Sequence, residues 1–269
     1  EARERRMIVM AAMLGGLSPF CSCEVIPFIA ALLAVGAPLS AVMAFWLASP
    51  LMDPAMFVIT AGTLGFDFAL AKSLAAVGLG LLGGSIVYQF TRSPVFADPL
   101  KEHPTRSACC GASKPFQGKP VWSFWNEAPR REVFGRTVLE NALFLGKWLL
   151  IAYMLEALML AYVPAETIAS VLGGEGIKPV ILGALVGAPA YLNGYAAVPL
   201  VDALLTQGMA PGAAMSFVLA GGVSCIPAAV AVWALVKPRV FYAYLSIAMV
   251  GSLIAGLIWG VIARTDGEW

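Results

Sequence analysis

The chain has 269 residues, of which 60% are hydrophobic and only 12% are charged. Soluble domains carry a charged share of about 25%, so the composition excludes an ordinary soluble protein. The net charge of +1 does not indicate a nucleic-acid partner, and since the sequence has no basic patch interleaved with aromatic residues, we expect none. Several apolar runs are long enough for a hydrocarbon core of about 30 Å, which predicts a polytopic, all-α helical membrane protein. The runs are residues 67–90, 138–163, 178–206, 211–236 and 240–263.

The first residues, "EARERR", lead directly into an apolar stretch. They show no signal-peptide pattern of charged start, short apolar core and small-residue cleavage site. We therefore expect the chain to be a fragment or a processed form that lacks a helix upstream. We also expect a multi-pass protein of the inner (plasma) membrane, with the lipid bilayer as its surroundings.

The stretch "PFCSCEVIP" at residues 19–27 interrupts this first apolar region. Two prolines bracket two cysteines and a glutamate, and proline breaks or kinks a helix. Backbone groups freed inside a membrane cannot face lipid, so they must be buried in protein or line a wet cavity. The stretch therefore predicts a broken helix that presents Cys21, Ser22, Cys23 and Glu24 to something other than lipid.

A polar interval at residues 91–136 separates two membrane regions, 1–90 and 137–269. It carries eight Lys or Arg residues against four Asp or Glu residues, so the positive-inside rule places it in the cytoplasm. Cys109 and Cys110 lie there beside basic residues, which favour the thiolate form. They are either a capture site for a soft substrate or loop thiols without a role.

Residues 19–55 and 189–228 read as two copies of one pattern. Each has a proline, a polar or small patch, a second proline, a glycine nine residues later (Gly36 or Gly208), another proline, a small-residue break and a closing Pro-Ala. The pattern predicts two internal repeats, each with a pair of discontinuous helices joined by a tight turn. Broken helices in corresponding halves are the best sequence indication of a transporter's substrate site. Re-entrant hairpins that do not cross the membrane fit the same pattern.

The four predicted breaks carry the candidate site residues. They are Cys21, Ser22, Cys23 and Glu24 at the first, Ser49, Met52 and Asp53 at the second, Tyr191, Asn193 and Tyr195 at the third, and Ser224 and Cys225 at the fourth. Thiolates select soft acceptors, and three sulfurs suit a pyramidal centre such as trivalent arsenic. The alternative is that these cysteines are small buried apolar residues.

Carboxylates inside a membrane are functional candidates by default. Asp53 and Glu24 are therefore candidates for proton coupling. On the run 138–163, Glu140 and Lys147 lie two helical turns apart. For these two we expect an internal charge pair rather than a proton relay.

The segments "SPFCSCEVIPFIAALLAVGAPLSAVMAFWLASPLMDP" and "GAPAYLNGYAAVPLVDALLTQGMAPGAAMSFVLAGG" resemble the ArsP-type permeases, a family of trivalent-arsenical efflux proteins. The resemblance implies that Cys21 and Cys23 bind the arsenical. It covers most of the chain outside 91–136. Two features depart from the family pattern: Glu24 follows the motif where a small residue is usual, and the helices that precede the motif are absent.

We therefore predict a permease, not an enzyme, that exports methylarsenite or arsenite and is proton-coupled. Substrate-binding candidates are Cys21, Ser22, Cys23, Glu24, Asp53, Tyr191, Asn193 and Cys225. Alternatives are a transmembrane thiol-disulfide electron carrier, a permease for another soft metal ion, and a pore with structural cysteines. No CxxC or Walker A motif occurs, so we expect no cofactor, no metal site and no direct use of ATP.

Overall fold

The computed structural model describes residues 2–18, 25–34, 36–90, 128–162, 172–174, 176–188, 194–224, 229, 233 and 236–266. The regular structure in these ranges is helical, apart from isolated bridge residues, namely Gly173 paired with Met209, and Val236. The helices are α1 (Ala2–Leu17), α2 (Val25–Ala34), α3 (Leu39–Ala48), α4 (Pro54–Thr63), α5 (Phe66–Gln89), α6 (Ala128–Tyr162), α7 (Ile177–Gly187), α8 (Gly194–Thr206), α9 (Pro211–Val223) and α10 (Pro238–Asp266). The predicted all-α class is thus confirmed for the described ranges.

Two of these helices are long and apolar enough to cross a membrane, Phe66–Gln89 and residues 238–265 of α10. Shorter apolar helices of 10–17 residues accompany them, among them α3, α4, α7 and α9. The apolar run at 178–206 is not one rod, because α7 ends at Gly187 and α8 begins at Gly194. Helix α6 begins at Ala128, inside the interval expected to be a polar loop.

The chain forms two compact units, residues 1–101 together with 155–269, and residues 102–154. In the second unit the structure describes residues 128–154, which belong to α6. There Glu140 pairs with Arg136, one turn earlier, at 3.1 Å between Nε and Oε1. The expected pair between Glu140 and Lys147 is therefore wrong, because a partner four residues away on the same helix is nearer.

Within the first unit, α1, α3 and α5 pack against one another. Glycines bring their backbones together. A Cβ added at Gly15 would lie 2.8 Å from the carbonyl oxygen of Phe45, and one added at Gly84 would lie 2.9 Å from that of Ser40. Small residues at such crossings are the usual means by which membrane helices approach closely.

Helices α7, α9 and α10 form a second cluster with the same kind of crossing. A Cβ at Gly187 would collide with the carbonyl oxygen of Phe217, and one at Gly256 would lie 2.7 Å from that of Gly212. These contacts correspond to those of the first cluster, shifted by 172 residues. Gly15 and Phe45 correspond to Gly187 and Phe217, and Ser40 and Gly84 correspond to Gly212 and Gly256.

The turns after α2 and α8 also correspond at this separation. Gly36 has φ 87° and Gly208 has φ 99°, a conformation that glycine adopts without the penalty of a side chain. The N–H after each glycine donates 3.0 Å to a carbonyl five residues back, from Ala37 to Leu32 and from Met209 to Leu204. This is the Schellman ending of a helix, and it reverses the chain into α3 and α9.

The two clusters meet through aromatic contacts. Trp46 of α3 stacks on Tyr244 of α10 with ring centroids 4.6 Å apart. Phe68 of α5 meets Trp259 of α10 edge to face at 5.6 Å. Aromatic pairs in these arrangements add about 0.5–1.5 kcal/mol beyond the area they bury.

Candidate functional site

Helices of the first unit end where the sequence predicts breaks. The second break is described throughout: α3 ends at Ala48, and α4 begins at Pro54. The five residues between them include Pro50, and the proline ring leaves no N–H to continue a helical ladder. At the other three breaks the structure describes the flanks, with α1 ending at Leu17, α7 at Gly187 and α9 at Val223.

Asp53 is the N-cap of α4. Its backbone is extended, with φ −135° and ψ 168°, and its Oδ1 accepts a hydrogen bond of 2.8 Å from the N–H of Met56. Pro54 follows as the first helical residue, a position where its missing N–H costs nothing. The carboxylate also lies at the positive end of the α4 dipole, which favours a negative charge there.

The second oxygen of Asp53 connects this break to the third one. Tyr195, in the first turn of α8, donates a hydrogen bond of 3.0 Å from its hydroxyl to Oδ2 of Asp53. Helices α4 and α8 pack against each other, which brings the two residues together. Both carboxylate oxygens of Asp53 are thereby hydrogen-bonded, one within its own helix and one across the unit.

Further contacts join the flanks of the other breaks. The hydroxyls of Ser18 and Ser49 lie 3.1 Å apart, which connects the end of α1 to the end of α3. The hydroxyl of Ser224, just after α9, donates at 2.6 Å to the carbonyl of Ala220 and at 3.5 Å to that of Ala188. A Cβ at Gly222 would lie 2.9 Å from the side chain of Leu51. The flanks of all four predicted breaks therefore lie close to one another.

Lys72 of α5 is a residue that the sequence analysis missed. Its side chain is 1% exposed, and among the residues whose burial the structure describes, it is the one charged residue that is buried. Asp53 is the charge that acts on it. A lysine inside an apolar, membrane-length run was visible in the sequence and is a functional candidate by default. The sequence analysis considered the carboxylates and passed over this cation.

The Lys72 side chain lines a small cavity between the second and fourth breaks. The other lining residues are Pro50, Leu51, Met56, Ala197, Phe217, Val218, Gly221 and Gly222. Its volume of about 10 Å³ is near the least that holds one water molecule. The cavity is too small for an arsenical, but it can hold a water molecule, which can accept or donate a proton.

Of the predicted substrate-binding residues, the structure describes Asp53. The others lie outside the described residues: Cys21, Ser22, Cys23, Glu24, Tyr191, Asn193, Cys225, and the loop residues Cys109 and Cys110. The convergence of the sulfurs is therefore still a prediction. Among the residues that the structure does describe, no group of three or more His, Cys, Asp or Glu side chains is arranged to hold a metal ion.

The model of the ArsP_1 family, described as predicted permeases, matches residues 1–261 of the chain. The chain belongs to this family. The permease is also similar to the UPF0718 protein MJ0584 of Methanocaldococcus jannaschii, at 23% identity over 303 residues that cover 95% of this chain and 82% of that protein. No solved structure matches it. Family membership, together with the apolar helices α5 and α10, makes the protein a membrane permease at the level of class.

Proposed function

We propose that the permease exports trivalent arsenicals, methylarsenite or arsenite, from the cell through thiolate binding at Cys21 and Cys23, and that export is proton-coupled. The observation that carries the proposal is the set of contacts among the helix ends. Ser18, close before the Cys-Ser-Cys motif, touches Ser49, and Asp53 at the same break accepts from Tyr195 at the next. These contacts draw the flanks of the motif and polar groups of both membrane regions toward one place.

The chemistry of the motif favours a soft, thiophilic substrate. The prolines on either side of the motif predict a non-helical segment, in which two cysteines separated by one residue can direct both sulfurs toward one small volume. Thiolates prefer soft acceptors over hard cations. Two sulfurs suit an arsenic atom that already carries an organic group. A third, from Cys225, would suit arsenite.

Two internal repeats are part of the proposal. The glycine crossings and the glycine turns, each repeated 172 residues further along, support this architecture. The same separation relates Asp53 to position 225, which is a cysteine, and so supports Cys225 as a member of the site. Substrate would bind where the repeats meet, and one repeat would rock against the other to release it. The inner membrane, crossed several times, is the proposed location.

Uptake into everted vesicles tests the proposal. We expect wild-type vesicles to accumulate methylarsenite or arsenite, and Cys21→Ser or Cys23→Ser to lower the rate about tenfold or more, because a hydroxyl replaces a soft ligand. Thr63→Ala is the control, since it removes an exposed hydroxyl that bonds its own helix at Ile59 and keeps both sulfurs. Unchanged uptake in both cysteine variants at equal expression would remove the thiolate mechanism.

Two parallel measurements separate the alternatives. Uptake of cadmium in place of arsenicals would indicate a permease for another soft ion. Reversible oxidation of Cys21 and Cys23, followed by alkylation trapping and without arsenic uptake, would indicate a thiol-disulfide carrier. An arsenical transporter moves arsenic while its thiols stay reduced.

A further inference from the structure

The starting observation is a buried cation, Lys72, to which the described residues offer no direct partner. Among the described residues, no hydrogen bond and no ion pair within 4.0 Å joins Lys72 to another side chain, and its side chain is 1% exposed. An isolated buried charge costs several kcal/mol. A lysine so placed either keeps a charge partner nearby or gives up its proton.

Besides Lys72, α5 itself carries two titratable side chains, Asp67 and Tyr88. Helices α1, α3, α4, α9 and α10 pack against it. The sequences of α3, α4 and α9 contain no titratable side chain. The titratable residues of α1 and α10 are Arg3, Glu4, Arg5, Arg6, Arg239, Tyr242, Tyr244, Arg264 and Asp266. Asp53, before α4, is the charge that acts on Lys72.

The Asp53 carboxylate already has a structural task. Its two oxygens accept from the N–H of Met56 and the hydroxyl of Tyr195. Taking up a proton would disturb the α4 cap and the link to α8 together. Lys72 makes no such hydrogen bonds to the described residues, and it lines a cavity with room for about one water molecule.

Tyr244 shows what a purely structural side chain does at the corresponding place. It lies 172 residues after Lys72, and its hydroxyl donates 2.8 Å to the carbonyl of Val223, the last residue of α9. Position 51, which corresponds to 223, also lines the cavity at Lys72. In the second half, the neutral hydroxyl of Tyr244 is thus enough to satisfy the end of α9. In the first half, the corresponding position is occupied by a lysine, Lys72.

We propose that Lys72 takes up and releases the coupling proton of this permease, with Asp53 as the fixed counter-charge. The proton passes from the Lys72 ammonium to water in the adjoining cavity and leaves a neutral amine, which a proton from the opposite side recharges. This inference deepens the proposed function, on whose proton coupling it rests. It assigns to Lys72 the role that the sequence analysis gave to Asp53 and Glu24.

The test separates coupled transport from exchange in proteoliposomes. Lys72→Met keeps the length of the side chain and removes the titrating group. At equal pH on both sides, we expect Lys72→Met to exchange labelled methylarsenite at a rate within about twofold of wild type. With a pH gradient, we expect the stimulation of transport to be about tenfold smaller than in wild type. Tyr244→Phe is the matched control, and it keeps the stimulation. Lys72→Met that is still stimulated by the gradient would overturn the inference.

A substrate-free measurement distinguishes failure of this inference from failure of the proposed function. The thermal unfolding midpoints of wild type and Lys72→Met are compared between about pH 6 and about pH 10, where a proton exchanged at Lys72 makes their difference change with pH. A constant difference contradicts the inference whatever the substrate. If Lys72→Met folds poorly, the double variant Asp53→Asn/Lys72→Met, which removes both charges, replaces it in this measurement. Its midpoint too should show a pH-dependent difference from wild type.

Discussion

The hydroxyl of Tyr195 donates a hydrogen bond to Oδ2 of Asp53, a residue 142 positions earlier in the chain. Tyr195 begins α8 and Asp53 caps α4, so one hydrogen bond joins two helix starts from the two membrane regions of the sequence. Asp53 therefore serves both as a helix cap and in a cross-link between helices. A change that disturbs one of these two contacts should affect the other.

Tyr195→Phe removes the cross-link and keeps the ring. We expect the free energy of unfolding to fall by about 1 kcal/mol, the usual net worth of a partly exposed hydrogen bond. The thermal midpoint in detergent should fall by about 2–4 °C for a chain of this size. Tyr242→Phe is the control, because Tyr242 contacts Trp233 and Phe241 through its ring, which the change keeps. Equal midpoints for both variants would show that the Tyr195 hydrogen bond contributes nothing.

Gly187→Ala tests the crossing of α7 and α9. The new Cβ would collide with the backbone of Phe217, which cannot move without displacing α9. Overpacking of this kind costs about 1–3 kcal/mol. Gly78→Ala is the matched control: Gly78 lies within α5, and a Cβ there meets nothing within 4 Å. We expect it to be neutral or slightly stabilising, since alanine favours a helix. A control as unstable as Gly187→Ala would argue against the crossing.

Gly208→Ala tests the turn between α8 and α9. The backbone at Gly208 has φ 99°, where a side chain costs about 1–2 kcal/mol. Space is not the cause, because a Cβ there meets nothing within 4 Å. Gly62→Ala, equally open but at a helical position of α4, separates the two effects. The unfolding midpoint should fall for Gly208→Ala alone, and similar midpoints for the two variants would contradict a conformational origin.

Tyr244→Phe tests how the end of α9 is held beside Cys225. The change removes the hydrogen bond to the carbonyl of Val223 and keeps the stack on Trp46. We expect a loss of about 1–3 kcal/mol, since the carbonyl is left buried and unsatisfied. Thermal unfolding measures this loss. Ser252→Ala is a comparison from the same helix, because that hydroxyl bonds only its own helix at Ala248, and its midpoint should fall less.

The sequence analysis identified features that local chemistry dictates. The glycines at 36 and 208 predicted the turns, since only a residue without a side chain accepts that backbone readily. Pro50 and Pro54 predicted the interruption before α4, because proline cannot continue a helical ladder. The charge pair on α6 was wrong in its partner, because Glu140 had a nearer cation one turn away, Arg136.

Local sequence patterns did not predict the contacts between residues of the site that are distant in the sequence. Asp53 was a candidate from its carboxylate and its place at a predicted break, but its hydrogen bond to Tyr195 depends on the packing of α4 against α8. Lys72 was visible as a cation in an apolar run, yet its burial depends on how α5 lies among its neighbours.

By itself, the sequence determined that this protein is helical, that it is apolar enough for a membrane and where several of its helices end. Hydrophobic content, proline and glycine act through the local chain, so their consequences can be read residue by residue. Only the tertiary structure decided that Asp53 meets Tyr195 and that Lys72 is buried beside the second and fourth breaks. Both depend on how helices that are distant in the sequence pack, and no local preference of the chain encodes that packing.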